Sequence, residues 1–168
     1  MGHGPCAVAI DERSFLAIYN NDIREYQVDI ANPTTDANWQ EATKWPQLQT
    51  RRRYPGCTKL GGSIIISGGY GDGETHRSTE ILSLETRKIE FAGNLATPRT
   101  YFQMATIRTE EGTETVLAIG GRDGSSRFKS VEELDPETLT WNPTSLNLLE
   151  GRSNFGKVVI PKKMICQG

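Results

Sequence analysis

Two apolar runs in this chain each end in a pair of glycines, and the two pairs lie 52 residues apart. The first is Ile64-Ile65-Ile66-Ser67-Gly68-Gly69, the second Val116-Leu117-Ala118-Ile119-Gly120-Gly121. The downstream residues keep the register. Ser78-Thr79-Glu80-Ile81-Leu82 answers to Ser130-Val131-Glu132-Glu133-Leu134, Glu85-Thr86 to Glu137-Thr138, and Ile89 to Trp141. Leu95 and Arg99 then answer to Leu148 and Arg152 at an offset of 53, and Leu48 and Arg52 precede them by 47. A lone Gly-Gly pair carries little information, but an ordered set recurring at about 50 residues restricts the chain to a repeat architecture. The extra residues between Arg99 and Gly120 fall in the polar stretch 108–114, which reads as a hairpin insertion.

Each unit contains about four short runs of β-prone residues separated by turn residues. In the second unit they are expected near 54–60, 63–68, 79–84 and 88–92, and in the third near 102–108, 115–120, 130–134 and 139–142. Gly61-Gly62 and Glu111-Gly112 supply the turns between the first two strands. Unit one is degenerate: Phe15 to Tyr19 reads as a strand, but Asn20-Asn21 stands where glycines are expected. Asparagine is the next most tolerant residue of a positive φ, so the turn geometry can survive there. Helical periodicity is missing from every window outside these strands. The units run roughly 3–50, 51–97 and 98–150, with a partial unit at 151–168 that begins strands near 155–160 and 163–166. A four-stranded blade cannot bury both its faces, so it stacks on neighbours, and ring closure protects the end blades.

The ordered pieces Pro98-Arg99, Gly120-Gly121, Ser130-Val131-Glu132 and Asp135-Pro136-Glu137-Thr138-Leu139-Thr140-Trp141 resemble the kelch repeat family. The resemblance implies an all-β fold: about three and a half four-stranded antiparallel blades of a kelch-type β-propeller, an incomplete ring. It departs from the family at Leu82 and Leu134, where a tyrosine is usual, at Ile89 in the tryptophan position, and at Asn20-Asn21. It assigns structural roles to Arg52, Arg99 and Arg152, to Glu80 and Glu132 as their ion-pair partners, to Gly68, Gly69, Gly120 and Gly121, and to Trp141. The alternative for the arginines is a cluster converging on an acidic ligand, as in sialidase propellers.

The resemblance also implies a ligand face made by the residues after each Gly-Gly pair and those just after each structural arginine. Here these are Tyr70 and Arg122, then Arg53 and Tyr54, Thr100 and Tyr101, Ser153 and Asn154. The long loops 71–77 and 123–129 add His76, Arg77, Arg127 and Lys129 at the rim. Tyrosine and arginine are the types enriched at binding hot spots. The expected function is therefore protein or peptide recognition, for instance as the partner-recognition part of a kelch adaptor. Many kelch proteins add a BTB domain and act in cullin-type ubiquitin ligases, and 168 residues leave no room for one. Other readings are an isolated fragment without function, or a propeller enzyme such as a copper oxidase or glycan hydrolase.

Composition narrows the field. With 19 Lys and Arg against 21 Asp and Glu, the basic excess of a nucleic-acid binder is missing. Arg51-Arg52-Arg53 is too short and isolated to be one, and reads as one structural arginine between two solvent-facing ones. No run approaches the roughly 20 apolar residues of a membrane span. Two histidines, His3 and His76, and three scattered cysteines, Cys6, Cys57 and Cys166, give no zinc or copper spacing. The odd cysteine count reads as reduced core thiols in a cytoplasmic protein, with Cys57 a buried small hydrophobe. No catalytic residue, metal or cofactor is expected. Ser67-Gly68-Gly69-Tyr70-Gly71-Asp72-Gly73 superficially resembles a nucleotide loop, but its place after a repeat strand favours a blade loop. Two copies of the chain, or further blades, would be needed to close a ring.

Overall fold

The computed structural model describes residues 5–27, 40–109 and 112–157. Every regular element among them is a strand. Unit one contains β1 (Cys6–Ala9), β2 (Ser14–Tyr19), β3 (Asp22–Gln27) and β4 (Gln40–Lys44). Unit two contains β5 (Gly56–Leu60), β6 (Ser63–Ser67), the short pair β7 (Tyr70–Gly71) and β8 (Glu74–Thr75), then β9 (Thr79–Ser83) and β10 (Ile89–Ala92). Unit three contains β11 (Gln103–Arg108), β12 (Glu114–Ile119), the short pair β13 (Arg122–Asp123) and β14 (Ser126–Arg127), then β15 (Ser130–Leu134) and β16 (Trp141–Asn147).

Each unit is a separate four-stranded antiparallel sheet, in the orders β1-β2-β3-β4, β5-β6-β9-β10 and β11-β12-β15-β16. Successive strands are neighbours, as tight turns demand. No named strand pairs with a strand of another unit, so apart from backbone hydrogen bonds made outside the sheets it is side chains that hold the units together. Two apolar layers do this. Leu16, Ile18, Ile23, Trp45 and Leu48 pack with Cys57, Ile64, Ile66 and Leu82 between units one and two. Ile65 and Leu95 pack with Phe102, Met104, Val116, Ala118, Leu134 and Trp141 between units two and three. Ile64, Ile65 and Ile66 are consecutive and all buried, because β6 has a neighbour on each face. A run of this kind carries no period-two signal, and it identifies the central blade.

Trp141 anchors the second layer and also donates its indole N–H to Thr79 Oγ1 at 2.9 Å. Pro143 lies in β16, the edge strand, where a missing N–H costs no ladder bond. At the insertion expected between β11 and β12, Thr109 N–H donates to Thr113 O and Arg108 pairs with Glu114 at 3.0 Å.

Two expectations need correction. Cys6 and Cys57 are not free thiols: they form a disulfide between β1 and β5, with Cα atoms 6.0 Å apart. Sequence spacing hid it, since the two cysteines are 51 residues apart and meet only when blades stack. Second, Asn20-Asn21 does not imitate the glycine pairs in full. Asn20 does take a positive φ of 55°. The chain then turns straight into β3, with Tyr19 opposite Asp22, and unit one lacks the loop that units two and three carry at this point. The expected strands at 155–160 and 163–166 fall mostly outside the described residues; residues 155–157 are not in a strand.

Candidate functional site

Below the site lie two buried arginines in superposable environments. Arg52 Nη1 donates to Gly68 O and Ser78 O, both at 2.8 Å, and Nη2 donates to Ser78 Oγ at 3.0 Å and Glu80 Oε1 at 2.8 Å. Arg99 repeats this with Gly120 O at 2.7 Å, Ser130 O at 3.3 Å, Ser130 Oγ at 3.2 Å and Glu132 Oε1 at 2.5 Å. Each glutamate also accepts two backbone N–H groups, Gln49 and Thr50 for Glu80, Ala96 and Thr97 for Glu132. Burial pulls both guanidinium pKa values down, and the facing glutamates push back up. Both arginines are 0% exposed and occupy separate nodes, so they do not converge on a common anion site.

Glycine is required at these nodes. Gly68 and Gly120 have φ of 63° and 61°, and a Cβ on either would strike the carbonyl of Arg99 or Arg152. Arg152 departs from the pattern. It is 60% exposed and lies 3.7 Å from Glu150.

Because each node fixes the arginine, the residues just after it are delivered to one place. Arg53 exchanges both backbone hydrogen bonds with Tyr70, at 2.7 and 2.8 Å, and Thr100 does the same with Arg122, at 2.9 Å each. The two families of positions, far apart in sequence, are thus stitched together blade by blade. The next residues form a ladder from unit to unit: Tyr101 N–H donates to Tyr54 O at 3.2 Å, and Asn154 N–H donates to Tyr101 O at 2.8 Å. Tyr54, Tyr101 and Asn154 share the left-handed backbone, with φ of 53°, 55° and 57°. Non-glycine residues in that region store strain, and such strain concentrates at functional sites.

The tyrosine rings of the ladder are stacked, with centroids 3.9 Å apart, and the Arg122 guanidinium lies 4.6 Å from the Tyr101 centroid. A hydrogen bond with Tyr101 raises the Tyr54 pKa above its ordinary value. Beside the stack opens a cleft of about 550 Å3, walled by the first residues of β1, β5 and β11 and by Tyr54, Tyr101 and Asn154. A smaller depression of about 220 Å3 lies between Arg51, Arg53 and Tyr70 and the turn at Asp72-Gly73.

Other residues expected on this face are placed differently. His76 is 9% exposed, its Nε2 3.2 Å from Arg51 O, so it supports the loop and is not at the rim. Thr100 is 4% exposed, and its hydroxyl donates to Tyr54 O. Arg77, Arg127 and Lys129 are exposed, Ser153 is half-buried, and Tyr70 is 42% exposed. Sequence reasoning missed Pro5, Cys6, Cys57 and Gln103 as cleft walls. The available signal was that strand starts follow the ladder residues by one to three positions. Among the described residues, no group of three His, Cys, Asp or Glu side chains is placed to hold a metal ion.

Residues 113–145 match the family model described as the Kelch motif. This part of the chain is a kelch motif. The match spans β12 to β16, the blade in which the Gly-Gly pair, Glu132 and Trp141 all occupy their expected places. Two relatives from Caenorhabditis elegans are similar over 84% of the chain: Kelch repeat-containing protein kel-10, 26% identical, and Kelch repeat and BTB domain-containing protein F47D12.7, 25% identical. The chain spans about a quarter of each, 24% of their length. Among solved structures, YjhT matches 90% of the chain and 53% of its own, with a TM-score of 0.65 and 12% identity. A copper-bound fungal alcohol oxidase of the AA5 family matches 88% of the chain and 33% of its own, with a TM-score of 0.58 and 16% identity. At these identities the likeness shows the fold, a kelch-type β-propeller architecture, and nothing of the chemistry.

Proposed function

We propose that this kelch chain is a non-enzymatic recognition module, which binds a protein or peptide partner on the face built by Arg53, Tyr54, Tyr70, Tyr101 and Arg122. One observation carries the reading: a preassembled Tyr54–Tyr101–Arg122 stack stands on a strained backbone ladder beside an open cleft. Rigid aromatic and arginine side chains give contact area with little entropy left to lose, the property of hot-spot residues. The kelch and BTB relative supports a partner-recognition role in a larger adaptor. A cytoplasmic setting accords with that role.

The test is selection of peptides from a displayed library on the wild-type chain, followed by affinity measurement on a Tyr70→Ala/Arg122→Ala double variant. Loss of at least about tenfold in affinity is expected, as truncating hot-spot residues costs 1 kcal/mol or more each. The melting midpoint should stay within about 2 °C, since Tyr70 is exposed and Arg122 caps the stack from outside. Undiminished binding would move the site elsewhere.

Unit three also needs a neighbour. Leu117 and Ile119 alternate along β12 with the buried Val116 and Ala118 and are only half-buried. Further blades or a second copy of the chain would cover them, and light scattering on the purified chain distinguishes a monomer from a pair.

A further inference from the structure

Beyond partner binding, we infer that Cys6 and Cys57 form a thiol–disulfide switch that locks unit one to unit two and sets the shape of the cleft beside Tyr54 and Tyr101. Three observations carry it. The bond joins the first strands of adjacent sheets, β1 and β5, which share no backbone ladder. It is therefore the covalent link across an interface otherwise held by packing and a few hydrogen bonds, such as Lys59 Nζ to Ile10 O. Both cysteines line the cleft beside Tyr54 and Tyr101, so the bond lies at the candidate binding face. And the two sulfurs are unequally reachable: Cys6 is half-buried, whereas Cys57 is 5% exposed.

The asymmetry fixes the route of exchange. A thiolate of a small or protein-borne dithiol enters the cleft and attacks Cys6 Sγ, the reachable sulfur. The Cys6–Cys57 bond breaks, and Cys57 leaves as a thiolate and takes up a proton. The second thiol of the dithiol then attacks its own sulfur in the mixed disulfide, giving up its proton. Cys6 leaves as a thiolate and is protonated in turn, and the dithiol departs as a disulfide. Two electrons and two protons pass to the protein. A disulfide such as oxidised glutathione reverses the sequence. In a reducing compartment the pair rests as two thiols, and oxidation staples blade to blade.

The experiment is done on the full chain. After equilibration with oxidised glutathione and unfolding in iodoacetamide, intact mass should show one carbamidomethyl group, because the sequence has three cysteines and two are paired. After dithiothreitol it should show three. Reduction should lower the melting midpoint by about 10 °C, the effect of releasing a 51-residue loop in a chain of this size. A Cys6→Ser/Cys57→Ser variant should melt where the reduced wild type does and ignore dithiothreitol. If that variant does not fold, the wild type with and without dithiothreitol reads the same quantity, with Cys166→Ser as the control that keeps the shift. Three labels before reduction, a mapped disulfide that includes Cys166, or a midpoint unmoved by reduction would each overturn the switch.

Discussion

Unit one and unit three reach the same four-stranded sheet by different means. Unit three uses the full kelch set: Gly120-Gly121, the Arg99–Glu132 node and Trp141 bonded to Thr79. Unit one has Asn20 for glycine and no buried arginine node among the described residues. Its buried glutamate, Glu25, accepts instead from the Trp45 indole at 3.0 Å, Arg87 of unit two lies over that same ring, and the disulfide supplies the rest. The strand order is the same, so the sheet does not depend on the motif. What unit one lacks is the loop between its second and third strands, and with it any counterpart of Tyr70 or Arg122. The Gly-Gly pair and the arginine node therefore order the loop and the residues after the arginine as well as steadying the blade.

The largest expected effect tests the nodes against the substitute. Glu132→Ala leaves Arg99 charged, fully buried and unpaired, which should cost about 3–5 kcal/mol. Glu80→Ala should cost a similar amount through Arg52. Glu25→Ala removes a neutral indole's acceptor and should cost about 1–3 kcal/mol. Urea unfolding of the three variants provides the ranking. Equal losses would mean that Glu25 belongs to a node of the same kind.

The glycine position gives a smaller contrast. Gly120→Ala forces a φ of 61° on a residue with a Cβ and brings that Cβ within 2.8 Å of Arg152 O, so about 2 kcal/mol or more should be lost. Asn20→Gly relaxes a φ of 55° at a tight turn and should change stability by about 0.5 kcal/mol at most. Thermal melts of both, beside wild type, make the comparison. A neutral Gly120→Ala would mean that the Gly-Gly backbone is not what orders the loop.

This contrast also explains what the sequence could and could not reveal. The repeat set the blades because each motif residue meets the same partner, in its own unit or the next one, each time the motif recurs. Arg99 reaches Glu132, 33 residues away, and the same contact recurs as Arg52 with Glu80, 28 residues away. The pairing of Tyr70 with Arg53 and of Arg122 with Thr100 follows the same repeat. The position of His76 was not legible, because a loop offers no period from which to read burial. The Cys6–Cys57 pair was not legible either: the two cysteines take equivalent places, opposite Ile18 and Ile66, but unit three has Met104 there, so the link between units one and two has no counterpart between units two and three. Contacts that break the repeat leave no repeat signal.

The smallest effect is the acid limb of the stability curve, and it again divides the units. Asp11, in the turn before β2, accepts the N–H groups of Arg13 and Ser14, both at 2.7 Å. Asp135, in the turn before β16, accepts those of Thr138 at 3.1 Å and Glu137 at 2.8 Å. These backbone bonds, led by Arg13 in one case and Thr138 in the other, hold both carboxyls below their ordinary 3.8. In unit two the same office falls to Ser83 Oγ, which accepts from Thr86 N–H and does not titrate. A folded pKa below the unfolded one adds stability that is complete above the unfolded value and is lost as pH falls through the folded one. The melting midpoint of the Asp11→Asn/Asp135→Asn variant should therefore lie furthest below wild type at pH 6 and closest to it at pH 3. Asp11 is exposed and Asp135 only half-buried, so the difference should be small and is best read as the convergence of two melting curves. Curves that stay parallel across that range would show that these carboxylates are ionised alike in the folded and unfolded chain, and that the turns of units one and three need no more charge than the serine turn of unit two.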